Sequence, residues 1–382
     1  MLISPFFMPQ RTLSIDAFLL ILFAFSIIVF PAILFPETTR WSTIFYSLMF
    51  CFLFISYDSM LRRGYIALQV FLNILRYLII AYTLVLIIQQ ICVFFGLPIF
   101  NISNYDPSNP WKLNSLAAEP SHSARIVGLL MLAYILGTRL AHQVGIVVSV
   151  TKKQVALTWL CFFWTMTTML SSTALIMIGL NLLIYGQKDR VRNSVLGLVF
   201  GCGALFLLPD ELIERVFNLA LAFLTFDHSE VLQADHSGAM RLAPMLVLVD
   251  KVEFFSLEGL FGNGVDSVSF FMSDYIYGVR EGVTGGGLLM LWYEYGLITF
   301  LLFSFFTLKT TTAMKSPVNF LIWFLLIFIA GVNNQMVWLT IILLHTLNVY
   351  RKRPELTVGR GQVRSNGILE CPSRPYLSEN IT

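Results

Sequence analysis

Residues 65–95 read YIALQVFLNILRYLIIAYTLVLIIQQICVFF, thirty-one positions with a single charged side chain, Arg76. A run near 20 apolar residues matches a hydrocarbon layer about 30 Å thick. Backbone in lipid has to satisfy its own hydrogen bonds, which selects helix. Similar runs fill most of the chain. They predict ten spans at about 13–35, 41–57, 65–95, 126–150, 154–170, 172–186, 193–208, 285–308, 317–332 and 336–350. The composition agrees: 57% of the 382 residues are apolar and 12% are charged, about half the charge of a soluble domain. The expected fold class is therefore all-α, a polytopic transmembrane helical bundle whose first partner is the lipid bilayer. Arg11 precedes the first run without a small-residue cleavage pattern, so that run is read as a retained anchor.

Lysine and arginine set the expected orientation. Arg62-Arg63, Lys152-Lys153, Lys188/Arg190/Arg192, Lys309/Lys315 and Arg351-Lys352-Arg353 fall on one side if both termini are cytoplasmic. The same parity splits 154–186 near Ser171-Ser172, and splits 317–350 at Asn333-Asn334-Gln335. Residues 1–353 then form one membrane domain, and 354–382 form a polar tail expected to be disordered. Two loops face outward, 97–124 and 209–284. The second carries 12 of the chain's 22 acidic residues and the bases Arg215, Arg241, Lys251 and Arg280.

The outward loops hold the candidate chemistry. Glu119, His122 and Arg125 lie in SLAAEPSHSAR (115–125), where the chain re-enters the membrane. Pro120 suits the first turn of a helix, so a plain helix cap is the competing reading of Glu119. Asp235, His236 and Arg241 share one turn-and-helix unit, and Arg280 and Glu281 precede the eighth span. Gly262-Asn263-Gly264 is read as a tight turn rather than a phosphate cradle. Within the spans stand Arg76, Arg139 and Glu294. They are read either as an Arg–Glu pair that fixes helix packing or as lining for a substrate cavity. The five cysteines lack metal-site or disulfide spacing. There is no GxxxxGK[ST], GxGxxG or DxD, so no nucleotide, cofactor, metal or nucleic acid is expected. Outward guanidinium groups suit a lipid diphosphate.

Five short matches, in order, carry a resemblance: EPSHSAR (119–125), MLSSTALI (169–176), RLAPM (241–245), LFGNGVDS (260–267) and GGGLLMLWYEYGLITF (285–300). With the long outward loop before the last helices, the chain resembles the O-antigen polymerase (Wzy) family within the O-antigen polymerase and ligase superfamily. The resemblance implies a metal-independent membrane glycosyltransferase of GT-C type in a bacterial inner membrane. Its substrate would be an oligosaccharide on undecaprenyl diphosphate. A separate chain-length regulator and a flippase would be its partners. Ligases carry a His-Asn pair ahead of the Glu-x-Gly that Glu294 and Gly296 match. Here positions 285 and 286 are both Gly, which favours polymerase.

On that reading Arg125, Arg241 and Arg280 offset charge on the leaving diphosphate, and Glu119 or His236 takes the acceptor proton. His122, Asp235 and Glu281 are the reserves. The product, whether O-antigen, capsule or exopolysaccharide, stays open. A ligase and a lipid-linked oligosaccharide transporter are the rival functions.

Overall fold

A computed structural model describes residues 14–37, 39–101, 110–145, 151–169, 171–186, 236–276, 286–315, 317–330 and 334–357, with isolated positions 218, 221 and 332; for 172, 236–242 and 313 it describes backbone alone. Among the described residues all regular structure is helical. In chain order the helices are α1 (Ile15–Leu34), α2 (Trp41–Arg62), α3 (Leu68–Phe94), α4 (Pro120–Gln143), α5 (Lys152–Thr168), α6 (Ser172–Gly186), α7 (His236–Lys251), α8 (Leu257–Phe261), α9 (Ser267–Ser273), α10 (Gly287–Thr310), α11 (Pro317–Trp323) and α12 (Gln335–Lys352). A π-helical turn, Phe324–Phe328, continues α11. Five helices, α1–α4 and α10, are long and apolar enough to cross a membrane. Ten crossings were expected, and among the described residues five helices have the length and composition for one. The shorter α5, α6, α11 and α12 lie where further spans were expected, and 193–208 lies outside the described residues.

Several boundaries move for local reasons. The second span was expected to stop at 57, but α2 runs on to Arg62 because Asp58 and Arg62 pair one turn apart within it. The fourth was expected over 126–150. Instead α4 starts at Pro120, whose missing N–H is no loss in a first turn, and ends ahead of Gly145, which has φ +73°. Arg139 therefore sits in the last turns of α4, not at mid-span. The split of 154–186 occurs as expected, between Thr168 and Ser172.

Two apolar clusters share α12 as a wall. Leu343 and Leu347 pack with α3–α6, while Trp338 and Ile341 pack with α1, α2 and α10. Helix α4 is the centre of the first: 72% of its apolar window is buried, against 28% for α3. Its glycines let neighbours approach closely, as small residues do between membrane helices. A Cβ on Gly128 would meet Met177 of α6 at 2.5 Å, and one on Gly137 would meet Leu72 of α3 at 2.7 Å. Buried polar side chains add cross-helix bonds. Thr83 and Thr165 pair at 2.8 Å, Asn181 donates to the Gly128 carbonyl at 3.1 Å, and Tyr350 donates to the Ile66 carbonyl at 2.8 Å.

These contacts also fix which helix ends lie together. One end gathers the start of α1 with the ends of α2, α10 and α12. There Arg62 reaches Asp58 at 2.7 Å and Asp16 at 3.1 Å, Lys309 reaches Asp16 at 3.3 Å, and fully buried His345 meets Asp58 at 2.6 Å. The basic clusters at Arg62, Lys309 and Arg351 thus come to one end of the bundle. Glu119 and Arg125 lie at the opposite end.

Candidate functional site

The segment leading into α4 is held by one buried amide. Gln89 of α3 is fully buried. It donates to the Phe100 carbonyl at 3.1 Å and to Asn114 Oδ1 at 3.3 Å, and its Oε1 accepts from Ser115 N–H at 2.8 Å. Ser115, at φ +53°, donates through Oγ to the Tyr82 carbonyl at 2.6 Å. Ser123 closes the loop by donating to the Asn114 carbonyl. Replacing Gln89 with Ala strands these groups. A loss of about 1–3 kcal/mol is expected for a buried group left unpaired, read as a lower unfolding temperature of the detergent-solubilised protein. An unchanged temperature would show that the loop is held by other contacts.

Pro120 then begins α4 and sets out the three expected residues. Glu119 occupies the N-cap position but its side chain does not cap the helix. It accepts instead from Ser121 Oγ at 3.2 Å and lies 3.8 Å from His122 Nε2. Both side chains are about half exposed. Arg125, one turn on and partly buried, donates to the Leu326 carbonyl at 3.1 Å. That carbonyl belongs to the π turn, where the wider helix offsets its hydrogen-bond ladder.

The π turn and the start of α10 touch directly. A Cβ on Gly287 would meet the Phe328 carbonyl oxygen at 2.1 Å, and one on Gly286 would meet Leu248 of α7 at 2.6 Å. Ala243, Leu248, Leu289 and Met290 close a third apolar cluster here, with Phe328 and Ile329 packed against it. The backbone of His236 and Arg241 lies on α7, so the structure brings that helix to the same junction as Arg125. Asp235, Arg280 and Glu281 lie outside the described residues. Lys251, at the end of α7, is engaged by Asp250 at 2.8 Å, whose hydrogen bond and then charge hold the ammonium above its ordinary range.

Helix α10 is broken. Gly296 has φ +82° and ψ 172° inside it. The carbonyls released before the break are taken by the LFGNGVDS turn. Asn263 N–H and Nδ2 donate to the Tyr293 carbonyl at 2.8 and 3.1 Å, and Gly264 N–H donates to the Glu294 carbonyl at 3.1 Å. Trp292 Nε1 donates back to the Gly259 carbonyl at 2.9 Å. Backbone approaches backbone so closely that Cβ atoms on Gly262 and Gly296 would stand 2.4 Å from the Glu294 and Leu260 carbonyl oxygens. The turn expected from the sequence is present, and its role is to fill a gap in a span.

Glu294 sits at this break, 1% exposed, and neither carboxyl oxygen has a hydrogen-bond partner. The N–H groups of Asp266 and Val268, at the start of α9, face it without the geometry of a formed bond. The expected Arg–Glu pair is absent among the described residues. Arg76 is buried beside the Tyr77 ring, 4.9 Å from its centroid, and Arg139 donates to the Tyr185 carbonyl at the end of α6 at 2.7 Å. Arg76 thus meets an aromatic face on its own helix, and Arg139 a main-chain carbonyl near the end of α6.

Sequence reasoning missed two groupings. Arg40, at the Glu119 end, reaches Asp266 at 3.4 Å, and Thr43 donates to the same carboxylate at 2.9 Å. This ties the start of α2 to the turn that fills the α10 break. The signal was an arginine between spans on the side otherwise poor in bases. The second grouping is the Asp16–Asp58–Arg62–Lys309–His345 cluster, foreshadowed only by two acids placed at span ends. No cluster of three or more potential metal-ligating side chains occurs among the described residues. No family model, curated protein or solved structure matches the chain.

Proposed function

We propose that this chain is a bacterial inner-membrane glycosyltransferase that polymerises lipid-linked surface-polysaccharide repeat units on the outward face. The observation that carries the reading is the junction at the Glu119 end. There the Arg125 turn of α4, the π turn, the start of α10 and the α7 helix bearing His236 and Arg241 converge. A planar guanidinium held partly buried at a membrane boundary suits a diphosphate headgroup, which needs charge and paired donors at that depth.

In the proposed reaction an acceptor-sugar hydroxyl attacks the anomeric carbon of a glycan on undecaprenyl diphosphate. The carbon–oxygen bond to the diphosphate breaks, and the lipid diphosphate leaves with the electron pair. Arg125 offsets the growing negative charge, and Arg241 and Arg280 are its proposed partners. The hydroxyl proton passes to a base, for which Glu119 and His236 remain candidates. Deleting the gene and running the surface polysaccharide on a gel tests the assignment. Lipid capped with a single repeat unit is the expected result. Full-length polymer stranded on its carrier would mark a ligase, and an unaltered ladder would sink both.

A second reading has one observation in its favour. Transporters place broken helices and buried ionisable groups at their substrate sites, and α10 has both at Gly296 and Glu294. A lipid-linked oligosaccharide transporter would leave unpolymerised repeat units on the cytosolic leaflet after deletion, whereas a polymerase defect leaves them outside.

A further inference from the structure

Glu294 is the one carboxyl among the described residues that is fully enclosed with both oxygens unpartnered. An ionised carboxylate without a partner in such surroundings is strongly unfavourable. Enclosure of this kind favours the neutral acid over the carboxylate. What encloses it is unusual. The wall is a docked turn, 262–266, joined to α10 by main-chain hydrogen bonds and glycine contacts. Around Gly262 and Gly296 backbone meets backbone, and Val265 is the side chain of the turn that is buried with Leu288, Leu291 and Tyr295 of α10, so displacing the turn has to withdraw Val265 from that cluster. The turn is tethered at its far side by Asp266 to Thr43 and to the exposed Arg40. Its flanks, Phe255 and Phe270, are 87% and 64% exposed, so the unit has apolar surface for lipid whether docked or displaced.

Resting on the polymerase reading, we propose that Glu294 is the proton acceptor of the transfer and that turn 262–266 is a plug which withholds it until substrate is present. With the plug displaced, water reaches the carboxyl and takes up its proton. The carboxylate then accepts the proton of the incoming sugar hydroxyl as its oxygen bonds to the anomeric carbon. The diphosphate departs with the electrons of the broken bond, and the proton on Glu294 is released to water before the plug reseats. This assigns to Glu294 the role that the outward residues Glu119 and His236 compete for. The Arg40–Asp266 contact is the latch that returns the plug.

Two measurements on the full-length protein in its membrane decide the matter. The first is Glu294→Gln, which keeps shape and removes the proton-accepting function. Loss of a general base lowers a rate by about a hundredfold or more, so the long-chain ladder should disappear while the protein stays in the membrane at its usual level. A normal ladder from Glu294→Gln overturns the proposal. The second uses a hydrophobic carbodiimide, which couples to neutral carboxyl groups in apolar surroundings, with the adduct located by mass spectrometry. Expected are an adduct on Glu294 that blocks polymerisation, and severalfold faster labelling in Gly262→Ala, whose new Cβ has no room against α10. Should Glu294→Gln fail to accumulate, this second measurement stands alone. An adduct without effect on polymerisation, or labelling indifferent to Gly262→Ala, overturns the plug. Deletion of the gene with no change in surface polysaccharide would defeat the polymerase reading and this inference with it. A deletion defect combined with a normal Glu294→Gln ladder would defeat this inference alone.

Discussion

Replacing Arg125 with Ala should abolish long-chain polysaccharide while leaving the protein folded in the membrane. Two effects have to be separated. The first is structural: the Leu326 carbonyl loses its donor, a charge-assisted bond that contributes about 1.5–3 kcal/mol. The second follows from the proposed reaction and is chemical: removing one preorganised charge from a developing anion lowers rates by about 10²–10³. The chemical effect is the larger on activity, so the ladder should collapse although the unfolding temperature falls only modestly. Arg125→Lys sharpens the distinction. A lysine has a single ammonium in place of a planar fork, so it cannot hold the Leu326 carbonyl and two phosphate oxygens in one plane. Partial activity is expected from it, with a short ladder. A full ladder from Arg125→Ala would remove the diphosphate role from this residue and leave it as a strut between α4 and the π turn.

Breaking the acid–base cluster at the opposite end should give the largest loss of stability. Asp58 is buried and accepts from Ser14 at 2.9 Å, from Arg62 at 2.7 and 2.9 Å, and meets His345 at 2.6 Å. Asp58→Ala removes the acceptor that α1, α2 and α12 share. It leaves Arg62 with Asp16 alone and strands His345, which is fully buried and whose Nδ1 already has no partner. Breaking a buried pair by deleting one member costs about 3–5 kcal/mol, because the other is left uncompensated. Arg62 is a quarter exposed, and water will soften its share. The check is the unfolding temperature in detergent, together with the amount of protein retained in membranes. Asp58→Asn keeps one acceptor and should fall between wild type and Asp58→Ala. Equal stability of all three would mean that helix packing, through Phe54, Phe303 and Trp338, holds this end without the charges.

How much of this was legible in the sequence follows from the range of the forces involved. Membrane-length helices are local: a run such as 68–94 satisfies its own backbone bonds and buries its side chains in lipid or neighbours whatever the rest of the chain does. The all-α class, the split before Ser172 and the turn at Gly262–Gly264 could therefore be read from short stretches. So could the gathering of bases at one end, because successive antiparallel helices alternate their ends. Boundaries failed where a local pattern met a specific contact. Asp58 and Arg62 looked like the end of a span, yet each neutralises the other inside α2. Arg139 looked central until Pro120 drew the start of α4 back by two turns.

The sequence alone determined that the chain is built of apolar helices joined by polar segments, because hydrophobic length and hydrogen-bond closure act within single segments. Only the tertiary structure decided the partnerships. It separated Glu294 from Arg76, gave Arg125 to a carbonyl of the π turn, and seated a glycine turn in the break of α10. Each of these outcomes involves residues apart in the chain, 201 positions for Arg125 and Leu326. Their geometry depends on how rigid helices pack against one another, which no single segment encodes.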